Sequence, residues 1–252
     1  MIFLLDHPVA LFIVLVALFW SAARLGSAFG KRRPPTGTGH EEGFNLVLGA
    51  TLTLLGLIIG FTFSMAVGRY DQRKNFEEEE ANAIGTEYLR LDLLPAADAA
   101  KLRVMLREFL DRRIVYYTSH DTEVLRADVA RIAELQSGLW SGAAGSGASR
   151  DPVTALVVSG MNDVLNRQGY TEAAWLNRVP VAAWLLLFLI AVLNNLLVGY
   201  RMRGKSSPLL LILPIVLSVS LFLIADIDSP RGGVIRVHPQ NLEALAQSLH
   251  PR

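Results

Sequence analysis

Four stretches of this chain are apolar at almost every position. They are PVALFIVLVALFWSAA at 8–23, FNLVLGATLTLLGLIIGFTFSMAVG at 44–68, VPVAAWLLLFLIAVLNNLLVGY at 179–200 and PLLLILPIVLSVSLFLIA at 208–225. Each is close to the roughly 20 residues that a helix needs to cross the hydrocarbon layer of a membrane. The first has the length of a signal peptide, but Asp6 and His7 precede it where a signal would carry Lys or Arg. It is therefore read as a retained anchor.

Between the second and third stretches the pattern becomes polar with helical spacing. No proline or glycine separates Gly68 from Ala83, so the second apolar helix is expected to continue out of the membrane until Leu93-Leu94-Pro95 ends it. Leu102, Met105, Leu106, Phe109, Leu110 and Val115 then fall near helical spacing. Ser119-His120-Asp121 reads as a break, after which Asp121 or Thr122 caps the helix EVLRADVARIAELQSGLW. A Gly/Ser/Ala turn is expected from Ser141 to Ser149. Asp151 would cap a further helix running towards the third apolar stretch. No period-two alternation and no internal repeat is present.

The expected fold class is an all-α integral membrane protein. Residues 1–68 hold the first two transmembrane helices and 179–225 the third and fourth, with an extramembrane helical bundle, 69–178, inserted between the second and third. In the tail, 226–252, a turn at Ser229–Gly233 precedes an extended VIRV and a helix from about Gln240, expected to pack on the extramembrane bundle.

Composition agrees: 52% of residues are hydrophobic and 19% charged, a balance suited to a membrane protein with a soluble part. The net charge of +1 gives no reason to expect nucleic acid. With no cysteine, disulfides, thiolate zinc sites and cysteine-held clusters are excluded. The five histidines never stand at ligand spacing, and no nucleophile elbow, phosphate loop or dinucleotide turn is found. No enzyme activity, cofactor or metal is expected. Basic residues gather in the two short loops, at Arg24, Lys31, Arg32 and Arg33 and at Arg201, Arg203 and Lys205. The positive-inside rule places those loops in the cytoplasm and residues 69–178 on the opposite side, although Arg69, Arg73, Lys74 and Arg178 also lie near membrane ends.

The second apolar helix carries two candidate faces. Gly49, Gly56 and Gly60, with Thr53 beside them, make a small-residue face suited to close helix packing. Thr53, Leu57 and Phe61, at i, i+4 and i+8, make a stripe that is either lipid or bundle contact or, around an axis of several copies, a narrow apolar constriction that gates by dewetting. Beyond them comes EEEE, Glu77 to Glu80. At 100° per residue four acids fan over most of the helix circumference, so a packed helix must turn at least one inward. Arg73 and Lys74 stand four residues before Glu77 and Glu78 and are expected to pair with them. Glu79 and Glu80 have no such partner, and Glu80 shares a face with Phe76 and Ile84. In a ring of copies Glu79 and Glu80 would form an inward ring of carboxylates that favours cations; the ordinary alternative is a solvated face. Asn194 and Asn195 are read as interhelical hydrogen-bonding groups and Pro214 as a kink. Asp226 and Asp228 either terminate the fourth helix or contact a cation.

Three stretches carry a resemblance: GFTFSMAVGRYDQRKNFEEEEANAIGTEYLRLDLLP, MNDVLNRQGYTEAAWLNRVP and DIDSPRGGVIRVHPQNLEALAQSL. The chain from Thr51 onward resembles a bacterial family of membrane proteins called bestrophin-like. True bestrophins share a Gly-Phe pair like Gly60-Phe61, then an Arg and a Tyr-Asp element like Arg69 and Tyr70-Asp71. Their acidic stretch after the fourth helix is partly echoed by Asp228-Ser229-Pro230-Arg231-Gly232, and their calcium-binding acidic run is absent. The resemblance implies a pentameric channel whose second helix lines an aromatic neck, at Thr53, Leu57 and Phe61, of which Phe61 alone is aromatic. It also implies a cytoplasmic helical domain, the reverse of the charge rule, which makes that domain periplasmic.

The expected function is therefore an oligomeric ion channel of the bacterial inner membrane. Its partners would be copies of itself, the lipid bilayer and inorganic ions. The alternative is a non-conducting scaffold or sensor whose helical domain binds a partner.

Overall fold

The structure, a computed structural model, describes residues 7–32, 38–145, 152–202 and 208–249. All regular structure among them is helical: α1 Pro8–Lys31, α2 Thr38–Arg90, α3 Ala96–Thr118, α4 Thr122–Gly145, α5 Pro152–Leu176, α6 Val181–Arg201, α7 Leu209–Asp228 and α8 Gln240–Leu249. Four regions are long and apolar enough to cross a membrane: α1, α2, the region 154–201 that contains α6, and α7. The chain divides into two compact units, one of Met1–Tyr70 with Arg178–Arg236, the other of Asp71–Asn177 with Val237–Arg252.

The first unit contains α1, α6, α7 and the first part of α2. Leu11, Leu15 and Phe19 of α1 pack with Trp184, Leu187 and Ala191 of α6 and with Leu217, Leu221 and Ile224 of α7. Leu55 and Ala66 of α2 join the same cluster. Two glycines set the closest approach between α1 and α6. A Cβ on Gly26 would lie 1.9 Å from the Leu196 carbonyl oxygen, and one on Gly199 would lie 1.9 Å from that of Ala23. Small residues let backbones meet where lipid offers no hydrophobic incentive for helices to associate. Asn194 ties α6 to α2: the Thr51 hydroxyl donates to its Oδ1 at 2.7 Å. Asn195 instead donates to the Ala191 carbonyl of its own helix at 2.8 Å.

The second unit contains the rest of α2 with α3, α4, α5 and α8. The α2 helix closes in a 3₁₀ turn at Leu91–Leu93, and Pro95 stands at the N-cap of α3. Asp121 caps α4 by accepting from the Glu123 amide at 2.9 Å. The turn expected at Ser141 does not form there, because α4 continues to Gly145. A Cβ on Gly138 or Gly142 would come within 2.3 Å of the Met105 or 2.6 Å of the Leu102 side chain. Those glycines serve contact with α3 rather than chain reversal. Residues 146–149 and the expected cap Asp151 lie outside the described residues. The expected run of α5 into the third apolar helix is interrupted at residues 177–180, where Pro180 becomes the N-cap of α6. The helix expected from about Gln240 begins there as α8, which buries Leu242 and Ala246 and sets Leu245 against Gly85 of α2.

Candidate functional site

The apolar part of α2 is the least covered of the four apolar regions. In its most apolar window 11% of residues are buried, against 33% in α1, 28% in the region containing α6 and 50% in α7. Its covered line is Leu55, Thr62 and Ala66. At 100° per residue, Thr53, Leu57 and Phe61 fall on roughly the opposite side. All three are exposed, Phe61 at 63%. The Thr53 hydroxyl donates to the Gly49 carbonyl of its own helix at 2.9 Å. Gly49, Gly56 and Gly60 have nothing within 4 Å of a Cβ position. Among the described residues these three glycines therefore pack against no other helix; that role falls to Gly26 and Gly199. The signal for those two was in the sequence, since each is a small residue within an apolar helix.

The acid run lies in the second unit and uses three sides of α2. Glu80 is wholly buried. Arg113 of α3 grips it with two guanidinium nitrogens, Nε on Oε1 and Nη2 on Oε2, the latter at 3.3 Å. Thr171 of α5 and Tyr117 of α3 donate hydroxyl protons to the same Oε2 at 3.0 and 3.4 Å. Burial, and then the charge of Glu80, push the Tyr117 hydroxyl above the ordinary phenol range, so it remains a proton donor. Arg113 also reaches Glu172 at 3.3 Å and lies 4.5 Å from the Tyr116 ring centroid. Glu80 thus points inward, but towards a guanidinium of its own chain. Both of its oxygens accept from side chains of its own chain.

The neighbouring acids divide differently from the expected pairs. Glu77 caps α8, accepting from the amides of Asn241 and Leu242 at 2.9 and 3.0 Å and from the Asn241 side chain at 2.7 Å. Glu79 is half-exposed and pairs with Arg167 of α5 at 2.5 Å. Glu78 and Lys74 are exposed, and among the described residues the expected pair between them is not formed. The sequence reading missed Arg113, Thr171 and Asn241. A signal existed for Arg113, which continues the buried α3 line Leu102, Leu106, Phe109, Leu110 to Tyr117.

Further along α2 in the same unit, Glu87 is fully buried, with Arg90 at 3.8 Å and no hydrogen-bond donor to either carboxylate oxygen among the described residues. Burial, only partly offset by Arg90, raises its pKa from 4.5 to about 8. A polar cleft of about 250 Å³ beside it is lined by Glu79, Asn82, Thr86, Arg90, Asp163 and Arg167, among others.

Asp226 and Asp228 terminate α7 and fasten its surroundings. Asp226 accepts from the amides of Val234 and Ile235 at 2.7 and 2.8 Å. Asp228 accepts from the Val179 amide at 3.0 Å and pairs with Arg69 at 3.5 Å. With these donors in place the two carboxylates act as caps, and neither presents an unengaged pair of oxygens to a cation. Among the described residues no group of three or more acidic, histidine or cysteine side chains is arranged to hold a metal.

A family model described as the Bestrophin-like domain matches residues 11–242. The chain belongs to the bestrophin-like family. Solved structures give this bestrophin-like protein the same fold. A bacterial bestrophin homologue from Klebsiella pneumoniae is 18% identical, with a TM-score of 0.64 and coverage of 96% of this chain and 95% of that one. A single-site variant of a Klebsiella pneumoniae homologue is 16% identical, with a TM-score of 0.64 and 94% coverage of each chain. A structure described as a membrane protein is 15% identical, with a TM-score of 0.65 and coverage of 94% and 97%. No curated protein matches the chain.

Proposed function

We propose that this bestrophin-like membrane protein is an oligomeric ion channel in which α2 lines a central path. The observation that carries the reading is the open side of α2. Thr53, Leu57 and Phe61 and the glycines Gly49, Gly56 and Gly60 all lie on the side that no other helix among the described residues covers. A long apolar helix with one side bound by its own chain and a small-residue side left bare suits close contact with copies of itself. Copies around an axis, five by the resemblance, would bring Leu57 and Phe61 together as a constriction, with Thr53 about one turn beyond it. An apolar neck of this kind controls passage through wetting and does not choose the ion's sign. Of the two acids, Glu79 alone keeps a half-exposed carboxylate that an ion path could meet, and Arg167 neutralises part of its charge.

Flux from liposomes containing the purified oligomer tests this. Phe61→Ala and Leu57→Ala should widen the neck and raise flux several-fold for anions and cations alike, while Ile212→Ala, exposed on α7, should leave it near wild type. No flux from a verified oligomer, with several ions and voltages, would overturn the channel reading and favour the non-conducting scaffold. The orientation belongs to the same proposal. The loop charges make residues 69–178 periplasmic and the resemblance makes them cytoplasmic. Single cysteines at Ser141 and at Ser206, the latter outside the described residues, can be probed on intact cells with an impermeant thiol reagent. Labelling at 141 alone supports the charge rule, and labelling at 206 alone the cytoplasmic domain.

A further inference from the structure

Within the first unit, α1 and α6 are in backbone contact at Gly26 and Gly199, near their C-terminal ends. Beside this contact lies a cleft of about 550 Å³, lined by Phe29 within the last turn of α1 and Arg32 just after it, Phe44 near the start of α2, and Leu196, Leu197 and Tyr200 of α6. Its walls are apolar and aromatic, with the Phe44 and Tyr200 rings 5.6 Å apart. Its rim is basic. Arg32 is exposed and has no ion-pair partner among the described residues, whereas Arg201 nearby in sequence is already paired with Glu41 at 3.5 Å. A 24-residue helix spans about 36 Å, against a hydrocarbon layer of about 30 Å. Centred on that layer, the helix would carry its basic end to headgroup depth, where tyrosine and arginine side chains are at home.

We propose that this cleft is a binding site for an anionic phospholipid. The Arg32 guanidinium and the Tyr200 hydroxyl would take the phosphate, and the upper part of one acyl chain would lie along Phe29, Leu196 and Leu197. The shape and the charge ask for different things, and one molecule supplies both. An apolar cleft alone would accept any chain of the bilayer. An arginine alone would accept any anion. A cationic rim over an apolar wall at headgroup depth selects a phosphate that carries a tail, and an anionic headgroup adds attraction to the basic end of α1, Lys31 and Arg32. A guanidinium is also the side chain best matched to phosphate oxygens.

The proposal rests on the membrane placement of α1 and α6 and not on conduction, so it can fail while the channel reading stands. The test uses the full chain purified in detergent, with lipids retained or added and counted by native mass spectrometry, together with thermal unfolding. Phosphatidylglycerol should be retained and should raise Tm more than phosphatidylcholine does. Arg32→Gln should weaken that selectivity about tenfold or more, the usual worth of a charge-assisted hydrogen bond. Leu197→Trp should abolish it by filling the cleft without changing charge. Arg24→Gln, whose guanidinium lies over the Trp20 ring at 5.7 Å, should leave it intact. Equal effects of Arg24→Gln and Arg32→Gln, or equal binding of the two lipids, would overturn the site. So would an equal Tm shift from inorganic phosphate alone, which would make it an anion site without a tail. A change of subunit number in Leu197→Trp, with lipid retention unaltered, would overturn it in favour of a contact between copies.

Discussion

The two units of the molecule solve the same packing problem with different chemistry. In the first, α1, α6 and α7 meet through leucine, phenylalanine and alanine, and their closest approach is set by two glycines. Its fully buried amides, Asn194 and Asn195, bond to Thr51 of α2 and to carbonyls of their own helix. In the second unit Arg73, Glu77, Glu80, Glu87, Arg113 and Asp128 are all at 1% exposure or less. In lipid, where the surroundings are as apolar as the core, steric fit is what distinguishes one helix face from another. In the second unit a buried acid demands one partner at one place, because its desolvation is offset only when charge and hydrogen bonds are both met. Glu80 requires that α2, α3 and α5 converge in a single register.

The strongest test of this contrast removes one partner of the central pair. Arg113→Met leaves the Glu80 carboxylate buried with only two hydroxyl donors, and should destabilise the second unit by about 3–5 kcal/mol. The double variant Arg113→Met with Glu80→Leu should recover most of that loss, since an apolar pair of similar volume carries no desolvation cost. Hydrogen exchange read by mass spectrometry should show faster exchange in α3 and α5 in the single variant and unchanged rates in α1 and α6. If the double variant is as unstable as the single one, the ion pair is not what orders these helices.

A smaller, graded effect is expected from Glu87. Its pKa is about 8 in the folded unit against 4.5 for an unperturbed glutamate. Between those values the folded chain holds a proton that the unfolded chain has released. Stability contributed by this group is therefore complete below pH 4.5 and is lost progressively as pH rises towards about 8, with a slope of at most about 1.4 kcal/mol per pH unit. Asp128, displaced upward chiefly by burial, tilts the profile the same way. The difference between wild type and Glu87→Gln isolates the Glu87 share: the variant should lose stability less steeply with pH across that window. Parallel profiles would mean that Glu87 is solvated and ordinary.

Legibility from sequence follows the same division. The four apolar helices, the break at Pro95, the cap at Asp121 and the start of α8 were readable because each is a local signal: an unbroken apolar run, a missing amide donor, a carboxylate preceding a helix. The exposed stripe of α2 was readable as periodicity, though nothing local tells an axis from lipid. The partners of the acids were not readable. Glu80 and Arg113 are 33 residues apart, and Glu77 and Asn241 are 164 apart. Only the packed arrangement of α2 with α3, α5 and α8 brings them together. The local rule, pairing at i+4, pointed to Lys74 and Glu78, where water removes any need for a partner. The glycines of α4 misled for a related reason, since the same residue type makes a turn or admits the Leu102 side chain according to what lies opposite.

The finest test lies within the acid run, between Glu77 and Glu78. Both are glutamates on the same turns of one helix, each four residues after a basic side chain. Their difference is where the fan directs them. Glu77 receives two backbone amides and one side-chain amide at the first turn of α8, where an anion also meets the favourable end of the helix dipole. Its replacement by Gln removes the charge and keeps one acceptor, so the cost should be about 1 kcal/mol, typical of a weakened cap. The loss should appear as faster amide exchange confined to residues 240–249. Glu78→Gln exchanges one solvated side chain for another and should stay within about 0.5 kcal/mol of wild type, with unchanged exchange in α8. If the two variants loosen α8 equally, overall negative charge on this stretch of α2 matters and the specific cap does not. If neither does, the run is a solvated face and Asn241 finds its acceptor elsewhere.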